Sequence, residues 1–154
     1  MKTNMFRICA MLAIGVAASL QTLHAQQNTL EGVWNVRVTV TDCNTGELIR
    51  TVQSLQAFRH DGTMVEAANT ASRGISEGVY NPDGARVYAA RYWFFRYTST
   101  GAFASIATIT DSIQLGSDGH FTSKGMVVDH DANGNLISTG CFIHTAFQLA
   151  DSER

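Results

Sequence analysis

The sequence predicts an all-β fold, an eight-stranded antiparallel up-and-down β-barrel that follows a cleaved signal peptide. Three observations carry this reading. Turn signals recur at near-regular intervals, at Asn44-Thr45-Gly46, Asp61-Gly62, Asp83-Gly84, Thr100-Gly101, Asp118-Gly119 and Asn133-Gly134. The segments between them are rich in Val, Ile, Thr, Phe and Tyr, and the whole chain holds one Pro. Glycine in these turns accepts the positive φ that tight hairpins need, so a chain that folds back repeatedly without a helical stretch is an antiparallel meander.

The first 25 residues stand apart from the fold. Lys2 and Arg7 form a short positive region, Ile8 to Leu20 is almost wholly apolar or small, and Leu23-His24-Ala25 offers a small-residue cleavage site before Gln26. This is the pattern of an export signal, and the apolar run is short for a membrane span. An uncleaved anchor is the alternative. Cys9 lies too early in the segment to serve as a lipid-attachment cysteine. Residues 26–154 then form a single domain, of a size that buries about two-thirds of the surface its unfolded chain exposes.

The expected strands follow from the turns. The first, 33–43, alternates, with Trp34, Val36, Val38 and Val40 on one face and Asn35, Arg37, Thr39 and Thr41 on the other, which sets the apolar face inward. The second, 48–59, runs from the Asn44 turn to Asp61-Gly62, and the third is 63–70. The fourth, 76–81, stops at Asp83-Gly84, and the fifth, 85–98, at Thr100-Gly101. The sixth, 102–115, alternates like the first through Phe103, Ala107, Ile109, Ile113 and Leu115, although Asp111 interrupts that face. The seventh is 120–130 and the eighth 135–149.

Several of these strands exceed the common length of about five or six residues. Long strands joined by tight turns suit a closed barrel, which leaves no sheet edge unpaired, whereas a sandwich would need longer crossover connections. Eight strands enclose an interior just large enough to be filled by side chains or to hold one small ligand. The meander also sorts the turns: 44–46, 71–75, 99–101 and 131–134 share the top, and 61–62, 82–84 and 116–119 share the bottom with the N-terminus. Asn69 to Ile75 is the longest and least regular connection, so the top is the expected entrance.

After signal cleavage nine basic residues face thirteen acidic ones, and no basic run occurs, which argues against a nucleic-acid partner. Two cysteines remain, Cys43 and Cys141. In an exported protein the simplest expectation is a disulfide, with two buried thiols or part of a metal site as alternatives.

Gly32-Val33-Trp34, opening the first strand, resembles the Gly-x-Trp that begins lipocalin barrels, and Thr110-Asp111 resembles the second motif of that family, with Ser112 in place of its Tyr. The family's C-terminal helix does not follow the eighth strand here. In its eight-strand pattern the chain is similar to lipocalin-like (calycin-type) barrels and also to allene oxide cyclase-like barrels. The resemblance implies that Trp34 packs across the closed bottom, and that a small, mostly apolar ligand occupies the barrel, with catalysis an option.

Several residues are candidates for chemistry. On the fifth strand Tyr88, Tyr92 and Phe94 point one way and Trp93, Phe95 and Tyr97 the other. One set lines the lumen and the other lies outside, where exposed aromatics mark a partner surface, here a homo-oligomer contact through 85–98. The candidate ligand-binding residues are Tyr88, Tyr92, Phe94, Phe142 and Trp34, and plain core packing is the alternative for each. The candidate catalytic residues are Glu66, Arg91 and His144. Glu66 would be a general base if its face turns inward, and an ordinary solvated carboxylate otherwise. Arg91 would bind a carboxylate from inside the barrel, or be a surface cation if its face is the outer one. His144 shares a face with Phe142 and Ala146, where a satisfied core histidine is the bland alternative. At the bottom, His60, Asp61, Asp83, Asp118 and His120 share one end, but Asp before Gly is already required by the turns, and neither a metal nor a cofactor is expected.

Three functions fit these readings. The leading one is a secreted or periplasmic barrel that binds a small hydrophobic or amphipathic molecule, without spanning a membrane. The second is a cyclase or isomerase acting on a hydrophobic substrate held in the cavity. The third is an interaction domain whose barrel is packed solid.

Overall fold

The computed structural model describes residues 29–149; the expected signal peptide at 1–25 lies outside them. Eight strands follow one another: β1 (Gly32–Thr41), β2 (Leu48–Phe58), β3 (Thr63–Ala68), β4 (Ser76–Gly84), β5 (Val87–Tyr97), β6 (Phe103–Leu115), β7 (His120–His130) and β8 (Leu136–Gln148). Each is hydrogen-bonded antiparallel to the next, and β8 closes onto β1. The register brings Val38 of β1 opposite both Val52 of β2 and His144 of β8. The expected closed barrel is thus formed. Among the described residues there is no helix long and apolar enough to cross a membrane.

One turn differs from expectation. The β4–β5 hairpin turns at Ala85-Arg86 rather than at 82–84, so β4 runs on to Gly84. Arg86 takes up the left-handed conformation, at φ 63°. A register shift between Pro82 and Gly84 marks a bulge, a position where the missing N–H of proline is tolerated.

The lumen is filled unevenly. Trp34 is fully buried at the bottom, its ring centroid 4.9 Å from that of Phe121, and its Nε1–H donates to the Leu30 carbonyl at 2.8 Å. Phe58 and Tyr80 join this cluster edge to face at 5.1 Å. With Met64, Ile113 and Leu115, all buried, they plug the lower barrel. The bottom is therefore closed, in the position the sequence assigns to Trp34.

Two glycines let large side chains occupy the lumen. A Cβ on Gly125 of β7 would lie 2.5 Å from the ring of Phe142 and 2.2 Å from the Thr110 carbonyl oxygen. One on Gly78 of β4 would lie 2.3 Å from the Cβ of Tyr92. In each case the facing aromatic takes the space that a side chain would need.

At the top, Cys43 and Cys141 form the expected disulfide, with Cα atoms 5.0 Å apart and a sequence separation of 98. It joins the β1–β2 connection to β8. The Asn69–Ile75 segment is not an open loop. Gly74 donates its N–H to the Phe95 carbonyl and Tyr97 donates to that of Ser72, both at 2.9 Å, while Asn69 donates to Gln53 on β2. β3 is short, so this segment strapped across the gap supplies β5 with the backbone partners that β3 and β4 do not reach.

Candidate functional site

The interior above the aromatic plug is polar, which is unusual for a barrel core and locates the site. A pocket of about 50 Å³ lies there. Glu66, Tyr92 and His144 line it low down; Val38, Val40, Val52, Ile109, Val127 and Phe142 form its walls. Phe94, Arg50, Arg73 and Arg96 line it toward the top. A water needs roughly 10–15 Å³ on this measure, whereas pockets for drug-sized ligands span about 300–1,000 Å³. The cavity as it stands holds a few waters or a small group, and the sequence-based expectation of a roomy lumen is revised accordingly. The difference arises because the lower lumen is occupied by the aromatic plug and the upper mouth by arginine side chains.

Glu66 is buried on β3, 1% exposed, with its carboxylate paired to Arg73 and accepting from the Ser76 hydroxyl at 2.8 Å. The strict alternation of β3 turns Met64 and Glu66 inward together. Burial pushes the Glu66 carboxyl upward, but the Arg73 guanidinium, the Ser76 hydroxyl and the nearby His144 outweigh it and hold it below its ordinary value. Arg73 reaches this point from the strapped segment, its guanidinium carbon 3.5 Å from the Phe94 ring centroid. Tyr92 is fully enclosed; burial, with the carboxylates of Glu66 and Asp111, raises its phenol well above the usual value, so it remains a neutral donor.

His144 and Asp111 form a second buried pair. His144 stacks on Phe142 with centroids 4.5 Å apart, and its Nδ1 lies 3.2 Å from Asp111 Oδ2. That approach does not have the geometry of a hydrogen bond, and both His144 Nδ1 and Asp111 Oδ1 are buried without a hydrogen-bond partner. The Ser123 hydroxyl satisfies Asp111 Oδ2 at 3.0 Å. Gln56, also fully buried, leaves both amide atoms unbonded, and Arg73 Nε is a further orphan donor.

Toward the mouth, Arg96 Nε donates to Asp129 Oδ1 at 2.6 Å, and Asp129 also accepts from Ser105 and Ser138. Arg96 approaches Phe94, 4.9 Å from its centroid. Arg50, on β2, has no carboxylate partner among the described residues. The strand ends and the strap around this end carry exposed apolar side chains, Leu48 and Ile49 on β2, Ile75, and Leu136 and Ile137 on β8.

The structure thus gathers Glu66, His144, Tyr92, Phe94 and Phe142 at one pocket. It separates three other sequence candidates from it. Arg91 lies exposed on the outer face of β5, its guanidinium carbon 5.5 Å from the Trp93 centroid, so it does not reach the lumen. Trp34 belongs to the bottom plug, and Tyr88 packs beside Tyr80 at 6.1 Å, below the pocket. At the bottom turns His60 pairs with Glu31 and His120 with Asp118, so the two histidines have different partners.

Sequence reasoning missed Arg50, Gln56, Arg73, Arg96, Asp111 and Asp129 as parts of the site. Asp111 gave a visible signal, a carboxylate on an otherwise apolar strand face. Arg96 follows Phe94 by two residues and so shares its face, as Arg50 does with Val52. Arg73 gave none, because no periodicity constrains a side chain on an irregular connection. Comparison with known protein families and with curated proteins found no match to either.

Proposed function

We propose that this chain is an exported barrel that binds a small amphipathic molecule in its upper lumen. The observation that carries the reading is the set of buried polar atoms without partners: His144 Nδ1 and Arg73 Nε belong to residues that line one pocket with apolar walls, and Asp111 Oδ1 and the Gln56 amide to the neighbours of His144 and Glu66. Buried polar atoms are nearly always hydrogen-bonded, so several orphans together favour a guest or waters that supply the missing bonds. A lipocalin-like ancestry agrees with this reading through Gly32-Val33-Trp34 and the eight-strand meander. The cavity volume limits the guest to a small molecule, or to one admitted when Arg73 and its strap move aside.

The decisive experiment is native mass spectrometry of the protein purified from the secreted or periplasmic fraction, followed by a thermal-shift panel of small hydrophobic ligands. A co-purifying molecule or a stabilising ligand is expected. Failure of both favours the interaction-domain reading. Export itself is supported by the disulfide, which persists in oxidising compartments; N-terminal sequencing of the mature protein should begin at Gln26.

A second reading, a cyclase or isomerase, is favoured by the convergence of Glu66 and His144 on the same pocket as the neutral phenol of Tyr92. A carboxylate held ionised beside a neutral donor is an arrangement for moving a proton on a bound substrate. Incubation with epoxide and polyene substrates, comparing the wild type with Glu66→Gln, tests it; equal turnover in both would rule Glu66 out as the base. The outer aromatics favour a homo-oligomer through β5, since Phe95 packs on Phe103 at 6.0 Å and neighbours Trp93 and Ile106 on one exposed face. Sedimentation of Phe95→Ser against the wild type checks that contact.

A further inference from the structure

We infer that the guest carries a single anionic head, a carboxylate, received at the mouth of the pocket by Arg50 together with Arg73 and Arg96. This rests on the ligand-binding reading and adds the chemistry that the site selects.

Charge is the first ground. Three guanidinium groups, Arg50, Arg73 and Arg96, line the pocket. Two carboxylates answer them: Glu66, which also lines the pocket, takes Arg73, and Asp129, outside its lining, takes Arg96. Asp111 lies against His144 and Ser123 and does not line the pocket. Arg50 is left without a carboxylate among the described residues. Arg50 is exposed at the rim; partial desolvation, then the positive charges of Arg96 and Arg73, make it easier to deprotonate than a free arginine and outweigh the opposing pull of Asp129.

Hydrogen bonding is the second ground. Arg73 spends Nη2 on Glu66 and Ser76, and its Nε–H is buried with nothing to donate to. An unpaired guanidinium N–H enclosed beside a cavity calls for an acceptor, and one that bears charge also relieves the repulsion among the three arginines.

The third is rigidity. Arg73 and Arg96 both lie over Phe94, and each is tied to a carboxylate, which holds both guanidinium groups in place. Two of the three cations are therefore pre-positioned, which lowers the ordering cost of binding. The walls Val38, Val40, Val52 and Val127 are apolar and suit the short hydrocarbon body behind such a head. A compact monocarboxylate matches both the space and the charge.

The test uses the whole mature protein and a matched pair of probes, hexanoate and hexanol, titrated by amide-resolved NMR. Hexanoate is expected to bind more tightly, with shifts centred on Arg50, Phe94 and Val127, and to weaken as salt is added. Arg50→Gln, a change at the exposed rim, should raise the dissociation constant for hexanoate about tenfold, the loss of one charge-assisted hydrogen bond, and affect hexanol far less. Equal affinity for the two probes, or hexanoate binding that ignores Arg50→Gln, would overturn the anionic head while leaving the ligand-binding reading standing. Binding of neither probe, nor of any compound in the hydrophobic panel, would remove both.

Discussion

Arg73 and Glu66 meet inside the barrel, although one comes from an irregular connection and the other from the middle of a strand. Their pairing closes the top of the lumen. It also fixes the strap over β5, because the segment that delivers Arg73 is hydrogen-bonded to Phe95 and Tyr97 on either side of it. The guarded mouth, the ionised state of Glu66 and the small cavity all follow from this contact.

Removal of the cation should therefore be costly. Arg73→Gln leaves a carboxylate buried without its charge partner, a defect worth about 3–5 kcal/mol. Urea unfolding should record that loss. In the same variant the Glu66 carboxyl should titrate above its wild-type value, since burial would act with less opposition, and carbon-detected NMR of the side chain reads this directly. An unchanged Glu66 titration would mean that Arg73 is not what holds it down.

The same pair sets a pH dependence. Glu66 is held below its ordinary value in the folded protein, so its contribution to stability is fully present above the unfolded carboxylate range, near pH 4.3. It is lost as the pH falls through the folded value. Asp42, Asp61 and Asp131 are lowered as well, chiefly by hydrogen bonds from Thr45, Thr63 and Asn135 in their turns, and act in the same direction. Unfolding midpoints measured across acid pH should fall steadily, and Glu66→Gln should flatten part of that slope.

Gly125 is one of two glycines of the barrel wall, with Gly78, that leave no room for a side chain. Gly125→Ala drives a methyl into the Phe142 ring and the Thr110 carbonyl, an overpacking of the kind that costs about 1–3 kcal/mol. The double variant with Phe142→Leu should recover part of the loss, and a double-mutant cycle by calorimetry measures the coupling. Strict additivity would show that the Thr110 carbonyl alone sets the penalty.

The Cys43–Cys141 bridge closes a long loop, and its loss in Cys43→Ser/Cys141→Ser should destabilise by up to about 4–5 kcal/mol in the chain-entropy picture. Reductant should lower the unfolding midpoint of the wild type toward that of the variant. Alkylation without reductant should leave both cysteines unlabelled.

What the sequence by itself determined is local and periodic. The Asn-Gly and Asp-Gly turns other than Asp83-Gly84 dictated where the chain reverses, and the alternation of Trp34, Val36 and Val38 dictated which face of β1 is buried, because both depend only on backbone sterics and near neighbours. The pairing of Cys43 with Cys141 followed from there being two cysteines after the expected signal peptide. The tertiary structure alone decided which face of β5 looks inward, and with it the fates of Tyr92 and Arg91. It also decided the site, since Arg50, Arg73, Glu66, Asp111 and His144 come from five separated stretches of chain. Their meeting depends on barrel closure and register, and a buried charge network is fixed by the partners that surround each group, which no local pattern encodes.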